Sequence, residues 1–111
     1  MTYPYLKDKV ALVTGASRGI GAATALLLAA QGTHLVINYR SKAARAEEVA
    51  MEAAQLGVRA LAVQADITVR SDVERLMSAI RDEFGRLDVL VLNASGGLER
   101  EMVEANPEYP L

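Results

Sequence analysis

Short runs of apolar residues alternate along this chain with longer stretches in which apolar positions recur every three or four residues. The short runs lie at 10–13, 35–37, 60–63 and 89–92. Uninterrupted apolar runs of this length are typical of strands that are buried on both faces of a parallel sheet. The longer stretches, which have the spacing of amphipathic helices, lie at 19–31, 43–56 and 71–84. The pattern predicts strands and helices in strict alternation, which is typical of a doubly wound α/β fold.

Right-handed crossover connections between parallel strands limit how these elements can be arranged. They predict a Rossmann-like sheet with the strand order 3-2-1-4, in which the first strand is central. The first helix is expected to face the core with Ala23, Leu26, Leu27 and Ala30. The third helix is expected to begin with a capping box at Ser71–Glu74, where a serine is followed three residues later by a glutamate.

Composition limits the chemistry that a protein of this size can perform. With 111 residues the chain is expected to form a single domain. It has no cysteine and one histidine, His34, so neither a metal site nor a Ser-His-Asp triad is expected. The net charge of −2, with both signs interspersed, argues against nucleic-acid or membrane binding. Because no signal-peptide pattern is present and no apolar run reaches the roughly 20 residues that span a bilayer, a cytoplasmic protein is expected.

A glycine-rich segment, Thr14–Gly21, joins the first strand to the first helix. Unpaired N–H groups and the helix dipole make the N-terminus of a helix a favourable place for phosphate. Gly15 allows a tight turn, and the lack of side chains at Gly19 and Gly21 allows close approach. Ser17 adds a hydroxyl donor, and no Gly-Lys-Ser/Thr of a Walker A loop follows. The segment predicts a site for the pyrophosphate of a nicotinamide dinucleotide, the alternative being a purely structural turn.

Three segments, in the expected order and on the expected elements, resemble the motifs of the short-chain dehydrogenase/reductase family. Thr14–Gly21 is similar to the TGxxxGIG element of that family. Asp66, after the third strand, resembles the aspartate that hydrogen-bonds the adenine ring. Leu92–Gly96 resembles the NNAG element after the fourth strand, although Leu92 replaces its first asparagine and Ser95 replaces its glycine. The resemblance implies a Rossmann-like fold and a nicotinamide cofactor.

The end of the second strand bears on the choice of cofactor. An NAD site commonly has an acidic residue there, which binds the ribose 2′-hydroxyl, whereas this chain has Tyr39, followed by Arg40 and Ser41. With no carboxylate to repel it, a 2′-phosphate can pair with Arg40, and Arg18 can reach it from the glycine-rich turn. NADP(H) is therefore predicted over NAD(H), the alternative being that Arg40 is only a solvated loop charge. The expected cofactor contacts are Gly15, Ser17, Arg18, Gly19, Ile20, Gly21, Tyr39, Arg40, Ser41, Asp66, Ile67, Asn93, Ala94 and Ser95.

The resembled family catalyses with a serine that polarises the substrate oxygen and a Tyr-x3-Lys pair that donates the proton and binds the nicotinamide ribose. Those residues follow the fourth strand, where this chain has one tyrosine, Tyr109, and no lysine beyond Lys42. Tyr3–Lys7 and Tyr5–Lys9 match the spacing, but they precede the first strand and are expected to lie far from the nicotinamide. No catalytic residue is therefore predicted in this chain.

Two functional hypotheses follow for residues 1–111, which are expected to form one incomplete dinucleotide-binding domain, truncated after the fourth strand, with an acidic, proline-containing tail at 98–111. The first is the cofactor-binding part of an NADP(H)-dependent oxidoreductase that transfers hydride between nicotinamide and a small carbonyl or alcohol substrate. The alternative is a stand-alone dinucleotide-binding module, or a non-catalytic fragment that assembles with another chain. The apolar edge of the fourth strand predicts a homo-oligomer or a swapped dimer.

Overall fold

The computed structural model describes residues 4–93, and its elements follow the predicted alternation. After a short 3₁₀ helix at Pro4–Leu6, the strands are β1 (Val10–Val13), β2 (His34–Tyr39), β3 (Ala60–Gln64) and β4 (Val89–Val91). The helices are α1 (Gly19–Ala30), α2 (Ala43–Gln55) and α3 (Arg70–Phe84). None of these three helices combines the length and the hydrophobicity that a membrane-spanning segment needs.

The strands form one parallel sheet in the order β3-β2-β1-β4, which confirms the predicted topology. On one side β1 pairs with β2, from Val10 opposite His34 to Val13 opposite Ile37, and on its other side it pairs with β4. Because the strands are parallel, their carboxyl ends meet at one end of the sheet. The segments that follow the strands are therefore brought together at this carboxyl end.

Helices cover both faces of the sheet, and β1 shows how the two cores are divided. Ala11 and Val13 belong to the core that α1 and α2 form with the sheet. Val10 and Leu12 belong to the opposite core, which contains Leu76 of α3. Successive side chains of a strand point to opposite faces, so a strand covered on both sides is apolar throughout. This explains why an unbroken apolar run predicted β1.

The face that α1 turns to the sheet differs from the prediction. The buried residues are Gly21, Ala25 and Ala29, whereas Ala23 is exposed and Leu27 is 69% exposed. Because α1 is almost entirely apolar, its sequence has no polar face from which its rotation could be inferred. The three small residues repeat every four positions and lie on one side of the helix, where they allow close packing on the sheet.

The predicted capping box at Ser71–Glu74 is wrong. Instead, α3 begins one residue earlier, at Arg70, and no side chain caps it at Val69. The preceding turn is closed by Asp66, whose Oδ1 accepts hydrogen bonds from the N–H and the hydroxyl of Thr68 at 2.9 and 2.6 Å. Aspartate commonly closes turns in this way. This turn starts the helix ahead of the predicted cap.

Polar side chains close the amino end of the sheet against neighbouring segments. Thr33, fully buried before β2, donates its hydroxyl to the carbonyl oxygen of Leu6 at 2.8 Å. Asp88, before β4, accepts the N–H of Val10 at 2.9 Å and two guanidinium bonds from Arg86 at 2.8 and 2.7 Å. The Arg86 guanidinium and then the Val10 N–H lower the pKa of the Asp88 carboxyl. At this end the protein satisfies its own polar groups.

Candidate functional site

The carboxyl end of the sheet brings together all of the predicted site residues that the structure describes, while Ala94 and Ser95 lie outside the described residues. Those after β1 are Gly15, Ser17, Arg18, Gly19, Ile20 and Gly21; those at the end of β2 are Tyr39, Arg40 and Ser41; those after β3 are Asp66 and Ile67; and Asn93 follows β4. Open α/β sheets bind ligands outside the carboxyl ends of their strands, where the strand order reverses. That reversal lies between β1 and β4.

The glycine-rich turn leaves the start of α1 accessible. Gly15 and Gly19 have φ values of +61° and +59°, a left-handed conformation that favours glycine. In the described residues, no side chain caps α1 at Arg18, and its first turn contains no acidic residue. A Cβ added at Gly19 would meet no described atom within 4 Å. The free helix start, its dipole and the open space fit a phosphate group.

Gly21 lies where only a glycine fits. A Cβ at this position would be 2.5 Å from both the carbonyl oxygen of Gly15 and the Nδ2 of Asn93. One of these atoms is backbone, so the clash cannot be relieved by turning a side chain. The missing side chain therefore lets the first turn of α1, the glycine-rich turn and Asn93 pack directly against one another.

Asn93 connects the end of β4 to the glycine-rich turn. Its N–H donates to the hydroxyl of Thr14 at 2.9 Å, and its Nδ2 donates to the carbonyl oxygen of Gly15 at 3.2 Å. Thr14 is buried, and its hydroxyl donates in turn to the carbonyl oxygen of Val91 at 3.4 Å. Thr14 was not among the predicted site residues, although a hydroxyl directly after a buried strand is a usable signal. The contacts hold β1 and β4 in register at their carboxyl ends.

Asn38 was also missed by the sequence analysis. It lies within β2, and it is 2% exposed. Its Nδ2 donates to the carbonyl oxygens of Val63 and Ala65 at 3.3 and 3.2 Å, and its Oδ1 accepts the N–H of Gly15 at 3.4 Å. The signal for it was a polar residue between the apolar run 35–37 and Tyr39, but the sequence analysis assigned that residue no role. Asn38 extends the strand and links it to two neighbouring segments.

Asp66 presents a carboxylate at the end of β3. Its backbone N–H donates to Oδ2 of Asp72 at 2.8 Å, which fixes the segment against α3. The hydroxyl of Thr68, followed by its N–H and the charge of Arg40, lowers the pKa of Asp66. The carboxyl is therefore ionised near neutral pH and can only accept hydrogen bonds. Such a group suits a ligand that offers an N–H or O–H donor.

Arg40 lies beside this carboxylate. Its Nε is 3.7 Å from Oδ2 of Asp66, and its side chain is 80% exposed. Its backbone carbonyl accepts a hydrogen bond from Nε2 of Gln64 at 2.9 Å, while Oε1 of Gln64 accepts one from Arg75 at 3.0 Å. The backbone is held while the guanidinium faces solvent. The exposed guanidinium can therefore turn from Asp66 toward an anionic ligand.

The remaining predicted residues differ in exposure. Arg18, Ile20 and Ser41 are exposed, whereas Ser17 and Ile67 are partly buried. The site therefore has an open surface with an uncapped helix start, a carboxylate and cationic side chains. Such a surface can bind a ligand that carries phosphates together with a hydrogen-bond donor.

The family model described as short chain dehydrogenase matches residues 9–109 of this chain. The chain belongs to the short-chain dehydrogenase family. The sheet order, and the elements that carry the resembling segments within residues 4–93, agree with the Rossmann-like fold that the resemblance implied.

The relatives of this chain include proteins that are named as reductases. The hydroxynaphthalene reductase-like protein of Metarhizium anisopliae is 52% identical over 89 residues, covering 80% of this chain and 33% of that protein. The 3-oxoacyl-[acyl-carrier-protein] reductase of Synechocystis is 48% identical over 96 residues, covering 86% of this chain and 38% of that protein. A crystal structure of a Burkholderia cenocepacia dehydrogenase with bound NADP is 36% identical with a TM-score of 0.74, covering 78% of this chain and 34% of that one. The chain spans about a third of the length of these relatives.

Proposed function

We propose that this chain is the cofactor-binding part of an NADP(H)-dependent short-chain oxidoreductase. The observation that carries the proposal is the meeting of the uncapped start of α1, the Asp66 carboxylate and the Arg40 guanidinium at the carboxyl end of the sheet. The bound nicotinamide supplies or accepts a hydride. The reductase names of the two curated relatives and the NADP in the Burkholderia structure support this function. The substrate of the whole enzyme is then a small carbonyl compound or alcohol.

The start of α1 holds the pyrophosphate in this proposal. Gly15 and Gly19 shape the turn, and the N–H groups of the first helical turn, at Gly19, Ile20 and Gly21, point toward the ligand. The hydroxyl of Ser17 adds a donor. The partial positive charge of the helix start opposes the negative charge of the phosphates.

Asp66 and the end of β4 bind the two nucleosides. The ionised Asp66 carboxylate accepts a hydrogen bond from the adenine amino group, and Ile67 packs beside the ring. Asn93, with Ala94 and Ser95 after it, lines the nicotinamide ribose. The sheet order supports the assignment of adenosine to β3 and of the nicotinamide ribose to β4, since these two outer strands lie on opposite sides of the glycine-rich turn.

Arg40 makes the cofactor NADP(H) rather than NAD(H). Tyr39 ends β2 without offering a carboxylate to a ribose hydroxyl, and the Arg40 guanidinium is exposed. A 2′-phosphate can bind this guanidinium in a bidentate manner, with Ser41 beside it and Arg18 on the other side. Asp66 currently pairs with Arg40 at 3.7 Å, a contact long enough for the guanidinium to turn toward a phosphate.

The test is titration of the 111-residue chain and its Arg40→Ala variant with NADPH and NADH. Loss of one charge-assisted phosphate contact raises the dissociation constant for NADPH about tenfold, or roughly 1.4 kcal/mol, and leaves that for NADH within about twofold. Arg81→Ala is the matched control, because Arg81 is an exposed arginine in the last turn of α3, away from the carboxyl end of the sheet. Equal losses for both cofactors would contradict the assignment of Arg40.

Catalysis and assembly complete the proposal. The sequence has no lysine beyond Lys42, so the 111-residue chain is expected to bind cofactor without turning over a carbonyl substrate.

Leu90 in β4 and Leu92 just after it are 54% and 73% exposed, and an apolar sheet edge favours pairing with another chain. This exposure supports the alternative function, a binding module that assembles as a homo-oligomer or swapped dimer. Sedimentation of the chain as a monomer would contradict this assembly. We also propose that the protein is cytoplasmic.

A further inference from the structure

Asn38 is the buried polar side chain through which three segments of the carboxyl end meet. Its Nδ2 reaches the carbonyl oxygens of Val63 and Ala65, and its Oδ1 reaches the N–H of Gly15. Its own carbonyl oxygen accepts the N–H of Ala16 at 2.9 Å. One residue of β2 is thereby bonded to the glycine-rich turn on one side and to the end of β3 on the other.

The chemistry of the partners fixes the orientation of this carboxamide. Two carbonyl oxygens can only accept, so the NH₂ group must face Val63 and Ala65, and the oxygen then faces the Gly15 N–H. An isosteric carboxylate in this place would put its charge against two carbonyl oxygens. No other arrangement of the side chain satisfies all three partners.

Two of these segments, the glycine-rich turn and the end of β3, carry the two ends of the proposed cofactor site. Gly15 and Ala16 belong to the turn before α1, while Ala65 immediately precedes Asp66. The bonds from Asn38 therefore set the distance between the start of α1 and the Asp66 carboxylate. A dinucleotide must contact both places at once, so its affinity depends on that distance.

We propose that Asn38 is a positioning residue for the dinucleotide, which holds the glycine-rich turn and the Asp66 segment at the spacing that one cofactor molecule bridges. This inference rests on the proposed function. Asn38 itself does not contact the cofactor, because it is buried beneath the turn. Its removal loosens the two segments relative to each other, and the binding of a ligand that spans them weakens.

The first test needs no ligand and compares Asn38→Ser with Thr33→Val. Both substitutions remove buried hydrogen bonds next to or within β2, but Thr33 lies at the amino end of the sheet. Amide hydrogen exchange measured by NMR is expected to accelerate by about tenfold at Gly15 and Ala65 in Asn38→Ser, in line with the loss of roughly 1.4 kcal/mol of local stability. These amides are expected to exchange at wild-type rates, corrected for global stability, in Thr33→Val. Unchanged exchange in Asn38→Ser would overturn the proposal.

The second test measures NADP⁺ affinity in Asn38→Asp as a function of pH. Burial and the two facing carbonyl oxygens raise the pKa of the new carboxyl, so it becomes a neutral hydrogen-bond donor as the pH falls. The ratio of variant to wild-type dissociation constants is expected to be about tenfold or more near pH 8 and to shrink toward pH 6. The 2′-phosphate of NADP⁺ also titrates, but its effect on affinity is the same for both proteins and cancels in the ratio taken at each pH.

The outcomes separate this inference from the proposed function. If wild-type chain binds no NADP⁺, the proposed function fails, while the exchange rates at Gly15 and Ala65 still decide whether Asn38 holds the two segments. If wild type binds and Asn38→Ser keeps an affinity within about twofold, the positioning role is overturned although the function stands. If Asn38→Asp does not fold near pH 8, the Asn38→Ser affinity gives the decision. Thr33→Val is expected to bind as wild type once folded.

Discussion

The two ends of the same sheet use side-chain hydrogen bonds for different purposes. At the amino end, the side chains of Thr33 and Asp88 form hydrogen bonds with backbone groups of Leu6 and Val10, so that polar groups of the fold are paired with one another. At the carboxyl end, the hydrogen bonds of Thr14, Asn38 and Asn93 connect turns to one another and leave a helix start, a carboxylate and a guanidinium facing outward.

This difference shows how a parallel sheet divides stability from binding. Each strand begins at the amino end, where the polar groups need hydrogen-bond partners only from the protein itself. At the carboxyl end the turns diverge to opposite faces, which opens a space between them that a ligand can occupy. Substitutions at the amino end should therefore reduce stability alone, whereas those at the carboxyl end should also reduce cofactor affinity.

The largest effect is expected from Gly21→Ala at the carboxyl end. The new Cβ would lie 2.5 Å from a backbone oxygen of Gly15 and from Nδ2 of Asn93, and the forced backbone shift costs about 1–3 kcal/mol. We expect lower stability by chemical denaturation and loss of measurable NADPH binding. Gly57→Ala is the control, because Gly57 has a φ of +97° and no neighbour near its Cβ. It should lower stability while the folded protein binds normally, and equal binding by both variants would contradict the account.

A matched pair, Thr14→Val and Thr33→Val, compares the two ends directly. Each variant keeps the side-chain shape and removes one hydroxyl, and leaving a buried partner unsatisfied costs about 1–3 kcal/mol. Both should therefore unfold at lower denaturant concentration. Thr14→Val alone should weaken NADPH binding, because the Thr14 hydroxyl accepts the N–H of Asn93. If Thr33→Val weakened NADPH binding as much as Thr14→Val, the amino end would also contribute to binding, which would contradict the separation of the two ends.

The smallest effect concerns the acid stability that Asp88 gives the amino end. Its pKa lies below the ordinary value of 3.8 in the folded chain, so the ionised carboxyl stabilises the fold above that pH, and this contribution is lost as the pH falls below it. Asp88→Asn should lower the melting temperature at neutral pH and flatten its decline in acid. NADPH affinity at neutral pH should be unchanged. If the melting temperature of Asp88→Asn fell in acid as steeply as that of wild type, Asp88 would not account for the acid dependence of stability.

Much of the fold was predictable because the central strands are buried on both faces and therefore consist of unbroken apolar runs. The positions of the glycine-rich turn and of Asp66 at the carboxyl end were predictable, because the turn directly follows the run 10–13 and Asp66 comes three residues after the run 60–63. The rotation of α1 was not, since both Leu27 and Ala25 are apolar and only packing on the sheet decides which of them is buried. Asn38 was missed because its partners Val63 and Gly15 lie 25 and 23 positions away in the sequence. The order of residues does not reveal such contacts until the strands are paired.

The central claim is that the carboxyl end of this sheet holds a nicotinamide dinucleotide. The most direct measurement is an NMR titration of the isotope-labelled chain with NADP⁺, following the amides of both ends of the sheet. The account predicts saturable shifts at Gly15, Asp66 and Asn93, with Thr33 and Asp88 unchanged. The absence of saturable shifts, or shifts centred on the amino end, would contradict it.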